Sequence, residues 1–275
     1  MQRTDVVISW NMGCGPRTQT TSVQISSRLN ILSELVAEKF PSILALQESP
    51  DEGSLRNALG SNFGLLRTID GVATAYDLRR WSCDVEDISD GRVPVIGLLP
   101  VTGGSALWIV NVHVPVIHND EPSRQAFVRL RIRRKIETFR ATDSERENVV
   151  AGDFNLPPFD QSIVMPDGLS ASRSLPWIKA KSTGIDRRMF NATWGVLGQH
   201  LSACGTLYRS GPHIDGPWLA VDQIILTANL VRQINDVHVV EKIGAIQLRK
   251  VGAAGAPNSS IGSDHLPIVT TTLVG

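Results

Sequence analysis

The segment Val149–Pro158 constrains the fold of this chain more than any other stretch. An apolar run, Val149–Ala151, leads into Gly-Asp-Phe-Asn, and the chain then turns at two prolines. We interpret this pattern as a buried strand that ends on polar side chains. Because successive residues of a strand point to opposite faces, Asp153 and Asn155 are predicted on one face, where they could share a water, metal or phosphate. The alternative is an ordinary turn in which both side chains bond the local backbone.

Further apolar segments are predicted to form strands, and several carry a polar side chain. The predicted strands cover residues 5–11, 42–48, 71–76, 92–99, 105–114, 218–227 and 236–241, and a last one follows residue 265. Asn11 and Glu48 close the first two, His113 lies near the end of the fifth, and Asp222 lies in the middle of the sixth. An unpaired buried charge costs on the order of several kcal/mol or shifts its pKa, so Glu48 needs a partner. The plain alternatives are a turn cap for Asn11, a solvated loop for Glu48 and a core position for His113.

Two helices are predicted from apolar residues at helical spacing, over 24–40 and 121–140. The second is expected to turn Phe127, Leu130, Ile136 and Phe139 inward. Its other face is basic, with Arg124, Arg129, Arg131, Arg133, Arg134, Lys135 and Arg140. A charge run on a helix is usually a solvated face, and the alternative is an electrostatic path for a polyanion.

Composition limits the class of protein. The 275 residues are 42% hydrophobic and 20% charged, with a net charge of zero, which is typical of a globular chain able to bury a full core. Neutrality argues against a protein held to nucleic acid by bulk charge, although it allows a local basic cleft.

The cysteines and the N-terminal sequence bear on the compartment. Cys14, Cys83 and Cys204 are odd in number and far apart, so neither a disulfide framework nor a structural zinc site is expected. The chain enters an apolar strand without a signal-type region, and no apolar run is long enough to span a bilayer. A cytoplasmic protein without membrane contact is predicted.

The apolar residues of segment 156–216 show no clear periodicity, so this segment is predicted to form long loops with short elements. Long loops in a compact domain tend to be functional. Trp177, Trp194 and Trp218 are candidates to line a substrate groove, although core packing is the commoner fate of such residues. The polar candidates run from the first strand to the last, so we expect residues 1–275 to form a single domain.

A second strong motif, Gly-Ser-Asp-His-Leu-Pro, places Asp264 and His265 before the last strand. An imidazole needs a carboxylate to fix its tautomer and hold its charge, and Asp222 could supply it if the two strands are neighbours. The candidate side chains offer mainly oxygen ligands, so a bound metal should be Mg²⁺ or Mn²⁺. Such a site suits a phosphate ester.

Taken together, these motifs resemble the endonuclease/exonuclease/phosphatase superfamily, the group of deoxyribonuclease I and the abasic-site endonucleases. The motifs are Ser-Trp-Asn11, Leu-Gln-Glu48, Asn-Val-His113, Gly-Asp153-Phe-Asn155, Val-Asp222-Gln-Ile and Gly-Ser-Asp264-His265-Leu-Pro. The resemblance implies an α+β fold, a four-layer α/β/β/α sandwich of two mixed β-sheets packed face to face with outer helices. It also implies a divalent-metal phosphoesterase site at one edge.

The resemblance assigns metal binding to Glu48, with Asn11 and Asp264 nearby. One departure is Gly13, because the abasic branch has an acid two residues beyond the first asparagine. This difference weakens the interpretation as an abasic-site endonuclease.

The resemblance also implies catalytic roles. Asp153 and Asn155 would orient the water and the phosphate, and His265, paired with Asp222, would act on the nucleophile or stabilise phosphoryl charge. His113 matches the position that is histidine in the deoxyribonuclease I branch. Its acid partner is not evident from the sequence, and Glu52 and Asp77 are only candidates.

The leading hypothesis is a magnesium-dependent phosphodiesterase acting on nucleic acid, most simply a DNA endonuclease, with Arg124 and Trp194 contacting the substrate. No obligate protein partner is inferred. The alternatives are hydrolysis of a small or lipid phosphoester and an inactive binding module of the same fold.

Overall fold

The computed structural model describes residues 3–15, 19–116, 120–179, 188–198, 205–209, 216–231, 236–250 and 255–274. The strands are β1 Arg3–Asn11, β2 Ile43–Gln47, β3 Phe63–Arg67, β4 Ala73–Asp77, β5 Trp81–Asp87, β6 Val95–Pro100, β7 Leu107–His113, β8 Glu147–Asp153, β9 Ala171–Ser172, β10 Met189–Asn191, β11 Leu207–Tyr208, β12 Trp218–Leu219, β13 Asp222–Thr227, β14 Asp236–Val239, β15 Lys242–Ile243, β16 Ile246–Gln247 and β17 Ile268–Val274. The helices are α1 Ser22–Lys39, α2 Glu52–Leu59, α3 Glu121–Phe127, α4 Arg133–Thr142, α5 Gln161–Val164, α6 Leu175–Lys179 and α7 Trp194–Leu197, with a π-helical turn Val128–Ile132 joining α3 to α4.

Two mixed sheets form the centre of the fold. The first has six strands in the order β14-β17-β1-β2-β4-β3, and the second has seven in the order β5-β6-β7-β8-β13-β10-β9. Strands β1 and β2 are parallel, as are β7 and β8, while β17 and β13 run antiparallel to β1 and β8. The chain therefore brings the ends of β1, β2, β7 and β8 and the starts of β13 and β17 to corresponding edges of the two sheets.

Alternation along β8 shows how the layers pack. Val149 and Ala151 join the apolar core that contains residues of both sheets, whereas Val150 joins a second core on the other face of the seven-stranded sheet. The helical residues Phe127 and Ile132 belong to that second core. Helix α1 packs on the six-stranded sheet, and the result is the α/β/β/α sandwich expected from the sequence.

The predicted helix over 121–140 is present, but its inward face differs from the prediction. The backbone N–H of Arg133 donates to the carbonyl of Val128, five residues earlier, which defines the π-helical turn. The wider turn shifts the apolar stripe, so Val128 and Ile132 are buried and Leu130 is 54% exposed. The expectation that Leu130 faces inward was therefore wrong.

Most of the basic residues on this helical segment are ion-paired. Arg131 contacts Asp90 at 2.5 Å, Arg129 contacts Asp167 at 3.1 Å and Arg133 contacts Glu137 at 2.6 Å, and Lys135 pairs with Asp87. Two partners lie on neighbouring loops, Asp87 ends β5 and Glu137 lies on the helix itself. Because these acids neutralise much of the charge, a solvated face fits this helix better than a path for a polyanion.

Other segments differ from the sequence-based prediction. The strand expected over 218–227 is two strands, because Leu219 pairs with β11 while the β8 ladder starts at Asp222. Asp222 therefore lies at the start of a strand rather than in its middle. Helix α2 and strands β3 and β5 were not predicted.

None of the described helices combines the length and the apolar character needed to cross a membrane.

Candidate active site

The predicted catalytic and metal-binding residues meet at the shared edge of the two sheets. They line or adjoin a cleft with a cavity volume of about 570 Å³. The cleft is lined by Asn11, Glu48, Asp153, Asn155, Asp264 and His265, among others. The strand topology brings these residues together, because each of them lies at the end or start of a central strand or within a few residues of it.

A buried histidine–aspartate pair lies beside this cleft. His265 Nδ1 is 2.7 Å from Asp222 Oδ2, and the two side chains are 7% and 0% exposed. Burial alone would lower the pKa of His265, but the Asp222 carboxylate outweighs it and raises the pKa to about 10. Asp222 begins β13 and His265 precedes β17, and these two strands belong to different sheets, so the pair does not arise from the neighbouring strands that the sequence analysis considered. Packing of one sheet on the other forms the pair instead.

Asp153 is held by two amides. Asn11 Nδ2 donates to Asp153 Oδ2 at 3.0 Å, and the backbone N–H of Asn155 donates to Asp153 Oδ1 at 2.8 Å. Asn155 has φ of 49° and its Nδ2 also donates to the carbonyl of Val114 at 2.8 Å. Asn155 therefore lies beside Asp153 because of a tight turn and not because of strand alternation. It makes the local backbone hydrogen bonds of a turn and also lines the cleft.

Burial raises the pKa of the Asp153 carboxyl, and the Asp222 charge raises it further. Glu48 behaves similarly: burial raises the pKa of its carboxyl, and the charge of Asp153 adds to the shift. A buried carboxylate and a half-buried one that repel each other are stabilised in their charged forms by a cation between them.

His113 completes this edge from the second sheet. Its Nε2 lies 3.6 Å from Glu48 Oε1, and its Nδ1 lies 3.4 Å from Arg92 Nη1. Burial lowers the pKa of His113 to about 4, so the ring is neutral near pH 7. Arg92 can only donate, which makes Nδ1 the acceptor and leaves the ring proton on Nε2, directed towards Glu48.

The acid beside His113 is therefore Glu48, and neither residue suggested from the sequence occupies that position. Asp77 pairs with Arg79 at 2.8 Å, and Glu52 pairs with Arg56 at 2.7 Å on the surface of α2. The sequence could not show this contact because it joins strands of different sheets.

The donor chemistry of the cleft fits a hard divalent cation. Asp153, Asp222 and His265 offer ligand atoms within 4.8 Å of one another. However, His265 Nδ1 and Asp222 Oδ2 are already bonded to each other, which makes this trio a poor ligand set. Glu48, Asn11 and Asp264 offer oxygen donors around the same cleft, and oxygen is the donor that Mg²⁺ and Mn²⁺ prefer.

A model of the Endonuclease/Exonuclease/phosphatase family matches residues 8–265. The chain belongs to this family. The match includes all of the residues that line the cleft, from Asn11 to His265. A comparison with curated proteins found no match.

Solved structures of the family share the fold. Truncated TDP2 from Caenorhabditis elegans superimposes with a TM-score of 0.65 at 15% identity, over 98% of each chain. A family protein from Bacteroides thetaiotaomicron gives 0.66 at 14% identity, over 100% of this chain and 99% of the other. D. rerio TDP2 complexed with single-strand DNA product gives 0.62 at 15% identity, over 98% of each chain. Family membership and the site geometry together support a metal-dependent phosphoester hydrolase.

Arg28 is a structural residue of the cleft that the sequence analysis missed. It is 6% exposed, and its guanidinium donates to the carbonyls of Gly13 at 2.6 Å and Gly262 at 2.9 Å. It thus joins the loops that follow β1 and precede β17. Its position was detectable, because Arg28 lies in line with Ile31 and Leu35 on the buried stripe of α1.

The same clamp accounts for Gly13, the position that is acidic in the abasic branch. Gly13 has φ of 63°, and a Cβ there would lie 3.3 Å from Arg28 Nη1 and 3.1 Å from Ser263 Oγ. The backbone conformation and the close neighbours both disfavour a side chain.

The predicted substrate contacts fall outside the cleft itself. Arg124 lines an adjoining pocket together with Trp218. Trp194 lies further along, 6.2 Å from the ring of Phe159 and under the guanidinium of Arg173. Both assignments remain predictions.

Proposed function

We propose that this chain is a divalent-metal-dependent phosphodiesterase that hydrolyses nucleic acid, with DNA endonuclease activity as the leading form. The observation that carries the proposal is the His265–Asp222 pair placed beside Asp153 in an open cleft. An imidazolium, a carboxylate and fixed amides are the groups that phosphodiester hydrolysis requires around one phosphate. All of them are present, which argues against an inactive binding module.

Glu48 would hold the metal ion, with Asn11 and Asp264 beside it. The ion, Mg²⁺ or Mn²⁺, would neutralise charge on a phosphoryl oxygen. The neutral His113 ring lies beside this carboxylate, with its Nε2 3.6 Å from Glu48 Oε1. Because the backbone N–H of Gly13 donates to Asn11 Oδ1 at 2.9 Å, the Asn11 side chain has a fixed orientation.

Asp153 is placed to orient the attacking water and to accept its proton. Its Oδ2 accepts from Asn11 and from Asn155 Nδ2 at 3.2 Å, so the carboxylate cannot rotate freely. His265 directs its remaining nitrogen, Nε2, away from Asp222. From the wall of the cleft it would bind a phosphoryl oxygen and stabilise the charge of the transition state.

Three observations bear on the substrate. The cleft continues into a second pocket, which gives room for more than one nucleotide. On the other hand, the ion-paired helix and the zero net charge leave little bulk attraction for a polyanion. These last two facts favour the alternative, a small or lipid phosphoester.

We expect the purified protein to cleave supercoiled plasmid and a labelled single-stranded oligonucleotide in Mg²⁺ and to lose all activity in excess chelator, with recovery when Mg²⁺ is restored. Nicked circles on a gel would identify an endonuclease. A His265→Ala protein purified in parallel controls for contaminating nuclease. Cleavage that persists in chelator would contradict the metal requirement.

Salt dependence separates the two substrate classes. If nucleic acid is the substrate, KM should rise steeply between 50 and 200 mM salt, roughly as a power law whose exponent counts the phosphate contacts. Turnover of methyl 4-nitrophenyl phosphate should change little over the same range. A flat response with an oligonucleotide would favour the small-phosphoester alternative.

Two further expectations remain proposals. A single domain over residues 1–275 agrees with cleft residues drawn from both sheets. The cytoplasmic location is supported by Cys14 and Cys83, which are both free thiols, while Cys204 lies outside the described residues.

A further inference from the structure

A second pocket opens beside the catalytic cleft and shares part of its wall. It has a cavity volume of about 420 Å³, and Asn155 and Arg209 line both spaces. The remaining wall combines Glu121 and Arg124 of α3, apolar residues that include Leu219–Val221, and two aromatic rings, Phe159 and Trp218. A substrate whose phosphate lies at Asp153 would therefore extend directly into this pocket.

Arg124 is available to a ligand in a way that its helical neighbours are not. Arg129, Arg131 and Arg133 form ion pairs, whereas Arg124 has none among the described residues. Its Nε is buried and lacks a hydrogen-bond partner within the same part of the chain. A buried guanidinium nitrogen without a partner is costly, and an anionic group in the pocket would satisfy it.

Phe159 offers a half-exposed ring on the same pocket, with the tilted ring of Trp194 6.2 Å away. It is 45% exposed, which is unusual for a phenylalanine, and it lies on the turn that follows Pro158. Trp218 is less available, because Tyr208 packs edge-on at 5.4 Å and Arg249 lies 5.5 Å above its ring.

The turn that carries Phe159 is fixed to the helix that carries Arg124. Gln125 Nε2 donates to Asp160 Oδ2 at 2.9 Å, and Asp160 Oδ1 accepts from the backbone N–H of Ser162 at 2.8 Å. The backbone segments that carry the ring and the guanidinium are therefore linked to each other before any ligand arrives.

We propose that this pocket is a nucleotide subsite, in which Arg124 binds the phosphate next to the scissile one and Phe159 stacks on a base. The inference rests on the proposed function and names the part of the substrate that the second pocket takes. Stacking on an aromatic ring tolerates any base, so the subsite would confer affinity without sequence preference.

The test compares KM for a ten-nucleotide thymidine strand with KM for methyl 4-nitrophenyl phosphate. Phe159→Leu should raise the oligonucleotide KM about 5- to 100-fold, the range expected for loss of one stacked base, and leave the small diester unaffected. Phe159→Tyr keeps the ring and should retain the wild-type KM.

Arg124→Gln should also raise the oligonucleotide KM, and it should reduce the slope of log KM against log salt by about 0.7, the value for one phosphate contact on a single strand. Arg134→Gln is the matched control, because it removes the same charge from an exposed position on the continuation of this helix. Its slope and KM should equal those of the wild type.

The outcomes separate the two proposals. Cleavage of the oligonucleotide with unchanged KM in Phe159→Leu and Arg124→Gln would overturn the subsite alone, and so would equal losses on both substrates. A wild-type protein that hydrolyses only the small diester, or neither substrate, would overturn the proposed function and the subsite with it.

Discussion

The Asp222→Asn variant is expected to lose about 10²- to 10⁴-fold in kcat, the range typical of a positioned acid–base group, while remaining folded. Asp222 Oδ2 lies 2.7 Å from His265 Nδ1 with both side chains buried. The amide keeps the shape of the carboxylate but removes the charge that holds the imidazole protonated. It can also present its NH₂ group to Nδ1 and change the tautomer.

The pH dependence of kcat is also expected to change, and in a defined direction. In the wild type, the pKa of His265 is raised from 6.5 to about 10, so the imidazolium is present at neutral pH and is lost as the pH rises through about 10. Without the Asp222 charge, burial opposes protonation more effectively and the pKa of His265 falls. The alkaline limb of kcat against pH should therefore move to lower pH in Asp222→Asn.

Asp236→Asn provides a matched control for that variant. Asp236 Oδ2 also lies 2.6 Å from a histidine nitrogen, His238 Nδ1, but this pair is on the surface at an edge strand. The control should keep the wild-type kcat and pH profile. An Asp222→Asn protein with wild-type turnover and an unmoved alkaline limb would show that the buried pair does not take part in the reaction.

The residues that line or adjoin the cleft could be located in the sequence because each of them lies at or near the end of an apolar strand, while their roles stay predictions. Val149–Ala151 and the apolar run of β7 identify buried strands. A polar side chain at the end of such a strand indicates a functional site or a specific structural contact. The four-layer fold followed from the resemblance rather than from periodicity. What the local pattern established was the position of each candidate along the chain.

Local sequence patterns could not predict which of the candidate residues contact one another. The pairs His265–Asp222 and His113–Glu48 each join the two sheets, and sheet packing is set by the core as a whole rather than by neighbouring residues. Leu130 was wrongly predicted to face inward, because the spacing of apolar residues does not reveal a π-helical turn.

Gly152 shows how the fold constrains the site most directly, and Gly152→Ala is expected to lower the free energy of unfolding by about 2–6 kcal/mol through backbone strain and overpacking. Gly152 has φ of 150°, in a region that residues with a Cβ rarely adopt. A Cβ built there would lie 1.9 Å from the carbonyl oxygen of Val112 and 2.7 Å from its nitrogen. These atoms belong to the backbone of β7, so no side chain can rotate to relieve the contact.

Neither neighbouring strand can move aside cheaply. Gly152 pairs with Val112 on β7 and with Gln223 on β13, in the middle of the seven-stranded sheet. Urea unfolding followed by circular dichroism would measure the loss, with Gly103→Ala as the control, because a Cβ at Gly103 meets nothing within 4 Å. Since Asp153 follows directly, Gly152→Ala protein that does fold should also be impaired in turnover. An unfolding midpoint equal to that of the wild type would mean that β7 and β8 can separate locally without cost, and the predicted overpacking at this position would then be wrong.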